Sequence, residues 1–252
     1  MPIALVRQPS PRLADGIVTH IARSPVDPQR AERQHAAYVE ALHDHGWTIR
    51  EVAPALNLPD SAFVEDTVVV AGRTAVLARP GAPERRAEVA GTEEIVRALR
   101  LDVRRIEEPG TLDGGDVLQI GDTVYVGRGG RTNADGIRQL REHLGPAKNV
   151  VPVPLKDVLH LKSAITALPD GTIIAADPDL IDTSPLPTLR TVPEEGGAHA
   201  VVLDRGTVLM ATSAPNTATQ FEDLGFDVVA VDIGEFEKME GCVTCLSVLI
   251  PI

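Results

Sequence analysis

SAFVEDTVVV, residues 61–70, sets two adjacent carboxylates, Glu65 and Asp66, at the mouth of a run of β-branched residues. Two neighbouring acids beside an apolar strand are costly to bury unless a cation or hydrogen-bond donors meet them. Taken alone, the stretch reads equally as a turn with exposed acids leading into a strand. Two later stretches share its form. TLDGGDVL (111–118) places Asp113 and Asp116 around a glycine pair just before another strand, where glycines allow close backbone approach or positive φ. KDVLHLKSAI (156–165) sets His160 between leucines, with Lys162 and Ser163 following. Each has a plain explanation, a capped turn or a hydrogen-bonded core histidine. Their spacing adds something: 47 residues separate Asp66 from Asp113, and 47 separate Asp113 from His160. If each structural module delivers its polar residue at the same strand end, all three converge on a common axis.

Working outward, short β-branched runs recur along the chain, among them IALV (3–6), TAVLA (74–78), TVYVG (123–127), NVVPVP (149–154), TVLMA (207–211) and DVVAVDI (227–233). Helical stretches lie between them. DPQRAERQHAAYVEALHDHG offers Asp27 as N-cap, Pro28 in the first turn and Gly46 as a stop. PERRAEVAGTEEIVRALR, RTNADGIRQLREHLG and APNTATQFEDLG repeat the pattern. LPDGTI (168–173) and LDRGTV (203–208) read as hairpin turns. The fold class is α/β, and the absence of a consensus sequence repeat argues against a solenoid.

At 252 residues the chain can bury a sizeable core, and the expectation is a single domain over 1–252. A formal net charge of −12 disfavours nucleic acid and anionic membrane as partners, since both require a basic footprint. Only a four-residue apolar run precedes Arg7, and no run approaches the roughly 20 apolar residues that span a bilayer. Two cysteines in so long a chain suit a reducing compartment, so the expected location is the cytoplasm.

Both cysteines, Cys242 and Cys245, fall in EGCVTCLSVLIPI (240–252). The segment reads as an alternating strand, CVTCLSVLI, with no following helix to lower a thiol pKa as in thioredoxin-type pairs. On a strand, positions 242 and 245 point to opposite faces, which makes a disulfide or shared metal awkward. No second C-x-x-C or H-x-x-x-H completes a zinc site. A Cys–His couple with His160 remains open, because such partners need proximity in space and not in sequence.

The succession LPDSAFVEDTVVV, RPGAPERR, TLDGGDV, GRGGRTN, LHLKS and EGCVTCLSV resembles the dimethylarginine dimethylaminohydrolases, from about residue 5 to residue 250. That resemblance implies a five-module α/β propeller with pseudo-fivefold symmetry (the pentein type), no cofactor, and a small-molecule substrate, with monomer and homodimer both open. It implies Cys245 as nucleophile, His160 as general acid and base, and Asp113 as the acidic member of the catalytic set. Asp60, Glu65 and Asp66 correspond to the acids around the substrate's guanidinium and α-amino group. Arg85 and Arg131 correspond to the arginines that hold its α-carboxylate. A lid falls in RLADGIVTHI, with Val18 as its contact residue.

The residue types suit such chemistry on their own terms. A guanidinium carbon is a poor electrophile and needs a thiolate. Carboxylates on its nitrogens fix the plane for attack. The expected reaction is hydrolysis of Nω-methylated arginine to citrulline through a covalent thiouronium. Arginine deimination on the same scaffold is the neighbouring alternative, though arginine deiminases usually carry a helical insertion for which this chain has no room. The Arg85 and Arg131 pair argues against agmatine, which lacks an α-carboxylate. A non-catalytic binding protein for cationic amino acids would have no use for Cys245, His160 and Asp113 together.

Overall fold

The computed structural model describes residues 2–251; residues 1 and 252, the ends of the expected single-domain span, lie outside the described residues. In chain order it runs through β1 (Ile3–Val6), helix α1 (Pro28–Asp44) and β2 (Thr48–Glu51). The next sheet is β3 (Val68–Ala71), β4 (Thr74–Leu77), α2 (Val89–Ala98) and β5 (Asp102–Arg105). Then come β6 (Val117–Ile120), β7 (Thr123–Arg128), α3 (Ala134–Leu144) and β8 (Asn149–Pro154). The one-turn α4 (Leu161–Ala164) leads into β9 (Ile165–Ala167), β10 (Ile173–Ala175) and β11 (Leu189–Thr191). Last are β12 (Val201–Val202), β13 (Thr207–Ala211), α5 (Pro215–Asp223), β14 (Asp227–Val231), the one-turn α6 (Gly234–Glu237) and β15 (Val248–Ile250).

These strands form five three-stranded sheets of one design. A first strand pairs antiparallel with a central one, which then pairs parallel with a third after a crossover. The module containing β1 closes the ring: β15 supplies its first strand, antiparallel to β1 with Ile3 opposite Ile250, and β2 follows in parallel. This is the five-module α/β propeller.

The core explains why the strands read as continuous apolar runs. Successive side chains on a strand point to opposite faces, and here each face meets a different neighbour. Ile3 and Leu5 join Val68, Val70, Ala75 and Leu77 in one seam. Val69 and Val76 look the other way, into the seam with Val117, Val124 and Val126. Ile173 and Ala175 pack towards Leu118 and Tyr125, whereas Ile174 packs towards Val208 and Met210. The fifth seam joins Leu209, Ala211 and Val231 to Ala4, Val6 and the apolar face of α1. Five seams between modules thus take the place of one central core.

Local signals hold where they were read. Asp27 caps α1 by accepting from Gln29 and Arg30 N–H, with Pro28 inside the first turn. The segment after Pro83 departs from a plain helix: Pro83–Glu88 is 3₁₀ and only then does α2 begin. No helix among the described residues is long and apolar enough to cross a membrane.

Along the axis the first strands of all five modules line a cavity of about 420 Å³, including Val69, Leu118, Ala167, Val201 and Val248. Glu65, Lys162 and Thr244 line it as well.

Candidate active site

Each module's first strand is preceded by a single helical turn: Val64–Thr67, Gly114–Asp116, Leu161–Ala164, Glu195–Ala198 and Val243–Leu246. The interval from Asp113 to His160 is this repeat, whereas the equal interval from Asp66 to Asp113 joins unlike positions. Asp66 lies within its turn, while Asp113 and His160 are the residues just before theirs. His160 Nε2 stands 3.0 Å from Asp113 Oδ2, and its Nδ1 stands 3.9 Å from Asp66 Oδ1. Asp113 Oδ1 also accepts from Gly81 N–H at 2.8 Å, and Asp66 Oδ1 from Gly115 N–H at 2.8 Å.

The glycine pair is required by crowding, not by positive φ. A Cβ on Gly115 would lie 2.7 Å from His160 Nδ1 and 2.8 Å from Asp66 Oδ1, and one on Gly114 would lie 2.0 Å from the Glu65 carbonyl oxygen. Behind them Asp116 accepts from Thr132 Oγ1 and from Leu161 N–H, the latter at 3.0 Å. It thereby ties the turn that carries His160 to the turn that carries the glycines.

These contacts set the charges. Burial alone would lower the His160 pKa, but Asp66, the hydrogen bond to Asp113 and the charge of Asp116 outweigh it and raise it to about 9. For Asp66 burial pushes upward, yet His160 and Arg85 hold it well below the usual carboxylate range. Burial raises Asp116 to about 7 against the pull of His160 and Thr132. Glu65 is raised to about 8, chiefly by burial, with Lys162 opposing. It is nevertheless paired, to Lys162 Nζ and to Thr244 Oγ1 at 3.1 Å. Lys162 was present in LHLKS without any visible role, because its partner lies 97 residues away.

The two arginines separate in character. Arg85 was expected on the α-carboxylate, but its side chain is 6% exposed and committed within the protein. Nη1 bonds Asp66 at 2.6 Å, Nε and Nη2 bond Glu88, and Nη2 also reaches the carbonyls of Phe63 and Asp60. In this geometry it offers no two-pronged grip to a ligand; Glu88, three residues on, has taken it. Arg131 is the opposite case. Its Nη1 is buried without a hydrogen-bond partner, 3.7 Å from Asp113 Oδ2.

Asp60 accepts from Ile17 N–H with both oxygens at 3.2 Å, and burial raises its pKa against Arg85 and that bond. It thus meets the segment expected to be the lid. Val18 is half-buried there, against the apolar cluster that includes both cysteines. Glu240, which the sequence did not flag, fastens the segment: one oxygen accepts from the N–H groups of Thr19, His20 and Ile21, the first at 2.8 Å and the last at 2.9 Å. Arg23 adds bonds to the carbonyls of Ala14 and Gly16. The signal in the sequence was an acid directly before Gly-Cys.

The reading of the cysteines is corrected. CVTCLSVLI is not one strand: Val243–Leu246 is a 3₁₀ turn, and the strand begins at Val248. Three residues per turn bring positions i and i+3 onto one side, so the thiols face each other with Sγ–Sγ 3.3 Å. Both are reduced and buried. Cys242 N–H points at Cys245 Sγ at 3.5 Å, and Tyr38 clamps the turn by donating to the Val243 carbonyl at 2.9 Å. The hydrogen bond with Cys242, burial and the charge of Cys242, ahead of those of Glu65 and Asp66, hold the Cys245 thiol well above its ordinary range.

Asp66, Asp113 and His160 bring ligand-type atoms within 4.8 Å of one another. Their oxygens and imidazole already bond to one another, to Arg85 and to backbone N–H groups, which suits a charge network rather than a metal site.

A ring of five such modules, presenting a thiol, an imidazole and carboxylates from equivalent turns, is the architecture of the guanidino-group hydrolases. The family model for arginine deiminase matches residues 52–202. The N(G),N(G)-dimethylarginine dimethylaminohydrolase of Streptomyces coelicolor is 60% identical over 246 residues, 97% of this chain and 95% of that protein. Two crystal structures, each 33% identical and covering 98% of both chains, superpose closely. One is a dimethylarginine dimethylaminohydrolase variant as its adduct with S-methyl-L-thiocitrulline, at a TM-score of 0.90. The other is a cysteine-to-serine variant of the Pseudomonas aeruginosa enzyme complexed with citrulline, at 0.89. The chain belongs to the dimethylarginine dimethylaminohydrolase family of hydrolases.

Proposed function

We propose that this chain hydrolyses Nω-methylated arginines to citrulline and methylamine or dimethylamine, as one catalytic domain in the cytoplasm. The observation that carries the reading is the convergence of His160, Asp113 and Asp66 on one buried cluster beside an unpartnered Arg131 Nη1. A ligand with a guanidinium at one end and a carboxylate at the other complements both halves. The citrulline complex and thiocitrulline adduct of the relatives fit the same chemistry.

Asp66 and Glu65 face the guanidinium, Asp60 the α-amino group, and Arg131 the α-carboxylate. Arg85 contributes by fixing Asp66 and supplying positive charge behind it. In the free site the hydrogen bond with Cys242, burial and nearby negative charge hold Cys245 as a thiol, and a bound guanidinium opposes them, so substrate promotes its own nucleophile. The thiolate adds to the guanidinium carbon, forming the S–C bond. The C–N bond to the methylated nitrogen then breaks as His160, protonated at neutral pH, delivers a proton to the leaving amine. Neutral His160 next takes a proton from water, whose oxygen attacks the same carbon. The S–C bond breaks, and citrulline and the thiolate are released.

The arginine deiminase match favours one neighbouring reading, in which plain arginine loses ammonia in the same site. Citrulline formation from dimethylarginine, monomethylarginine and arginine, measured side by side, separates them. The expected order places a methylated substrate first, with Cys245→Ser folded and inactive. Citrulline from none of the three, or a trapped adduct on Cys242, overturns the proposal.

A further inference from the structure

We infer that Cys242 is a resolving thiol: under peroxide it forms an intramolecular disulfide with Cys245 that reversibly silences the site. The inference rests on the proposed role of Cys245 only for its effect on turnover.

The geometry carries it. The two sulfurs are 3.3 Å apart without being bonded, and a disulfide needs about 2.05 Å. Across three residues of a 3₁₀ turn the rise is about 6 Å, within the Cα separation of roughly 4.4–6.8 Å that a disulfide tolerates. Small rotations of two side chains suffice, and the backbone between Tyr38's clamp and β15 stays in place. The pair is also reachable. Cys242 lines a cavity of about 710 Å³ together with Ser163, His199 and Glu240, wide enough for a molecule of peroxide's size. Nothing in the proposed hydrolysis uses Cys242, and a small apolar residue would fill its place in the core.

The step balances with hydrogen peroxide as oxidant. The thiolate sulfur attacks one peroxide oxygen; the O–O bond breaks, leaving a sulfenic acid and, after protonation, water. The second sulfur then attacks the sulfenic sulfur, the S–O bond breaks, and hydroxide takes the thiol proton to leave as water. Two thiols are oxidised to one disulfide and one peroxide is reduced to two waters. The sulfenic acid is consumed before further oxidation, so the nucleophile is preserved in a form that a dithiol restores.

The experiment treats the purified chain with one equivalent of hydrogen peroxide, then alkylates it under denaturing conditions and digests it with trypsin. Residues 239–252 form one peptide holding both cysteines and no other cleavage site. The expected peptide has lost two hydrogens and carries no alkyl group. Dithiothreitol returns two alkylatable thiols, and turnover falls and recovers in proportion. In Cys242→Ala, with Cys242→Ser as the alternative should alanine fold poorly, the same treatment forms no disulfide and stops at a Cys245 sulfenic acid that dimedone traps, and excess peroxide carries it to the sulfinic acid, which dithiothreitol does not reverse. The wild-type mass reads out even if no citrulline is ever formed, so failure of the activity proposal and of this one are distinguishable. A wild-type peptide that gains oxygen, stays fully alkylatable or crosslinks to a second chain overturns the inference.

Discussion

Arg131 and Arg85 carry the same charge a short distance apart, and their surroundings give them different work. Removing Arg131 deletes a donor that has no hydrogen-bond partner and only a long 3.7 Å pairing with Asp113, so Arg131→Ala is expected to raise KM with the fold intact. A charged contact of this kind in a buried site is worth about 2–5 kcal/mol, a KM increase of roughly thirtyfold at the least. Arg85→Ala strands Asp66 and Glu88 in the interior, an uncompensated burial costing about 3–5 kcal/mol. Its expected signature is a lower denaturation midpoint alongside lost activity, so KM series and urea melts together distinguish the pair. His160 gives the pH prediction. Its pKa stands at about 9 in the fold against an ordinary 6.5. The stability it contributes is therefore complete below pH 6.5 and lost as pH rises through 9. Asp113→Asn removes the charged hydrogen-bond partner, so the imidazole should titrate nearer neutrality by NMR, and the alkaline limb of kcat should move down with it. An unchanged His160 titration would dissociate Asp113 from the proton chemistry.

At the scale of single turns and strands, the site depends on close approach between turns that are far apart in sequence. Gly115→Ala places a carbon under 3 Å from His160 and Asp66, and overpacking of this sort costs about 1–3 kcal/mol. Activity should fall by much more than stability, because the displaced group is the imidazole. Glu240 ties the turn before Cys242 to the lid through three backbone donors. Glu240→Gln should speed hydrogen exchange at Thr19, His20 and Ile21 and raise KM; unaltered exchange would show that the lid is held elsewhere. What the sequence disclosed follows the same division. Asp27 capping α1, the hairpin turns and the 47-residue interval are local or periodic, so the chain displays them. The CVTC segment misled because a 3₁₀ turn followed by a strand mimics alternation over nine residues. Glu88's capture of Arg85 was three residues away, yet nothing local says which acid an arginine will choose.

Over the whole molecule, the apolar runs were legible as strands, but the five seams that bury them on both faces depend on module order around the ring. The Glu65–Lys162 pair is a product of that order: modules two and four meet at the axis and close the cavity lined by the five first strands. Lys162→Met leaves Glu65 buried with its chief opposing charge gone, so its pKa should rise above about 8. At neutral pH the acid is then more fully protonated and grips a guanidinium less well. KM should increase and recover towards alkaline pH; a pH-independent KM would remove Glu65 from substrate recognition.

The seam between β15 and β1 joins residues that stand at opposite ends of the described chain, Ile250 beside Ile3. The turn bearing Cys245 stands just before β15, so it is the last of the five turns in chain order. During synthesis on the ribosome, an emerging chain can therefore assemble four modules, with Asp66, Asp113 and His160 all present, while wholly lacking its thiol. On the proposed role of Cys245, a stalled or truncated product carries the charged cluster but no nucleophile.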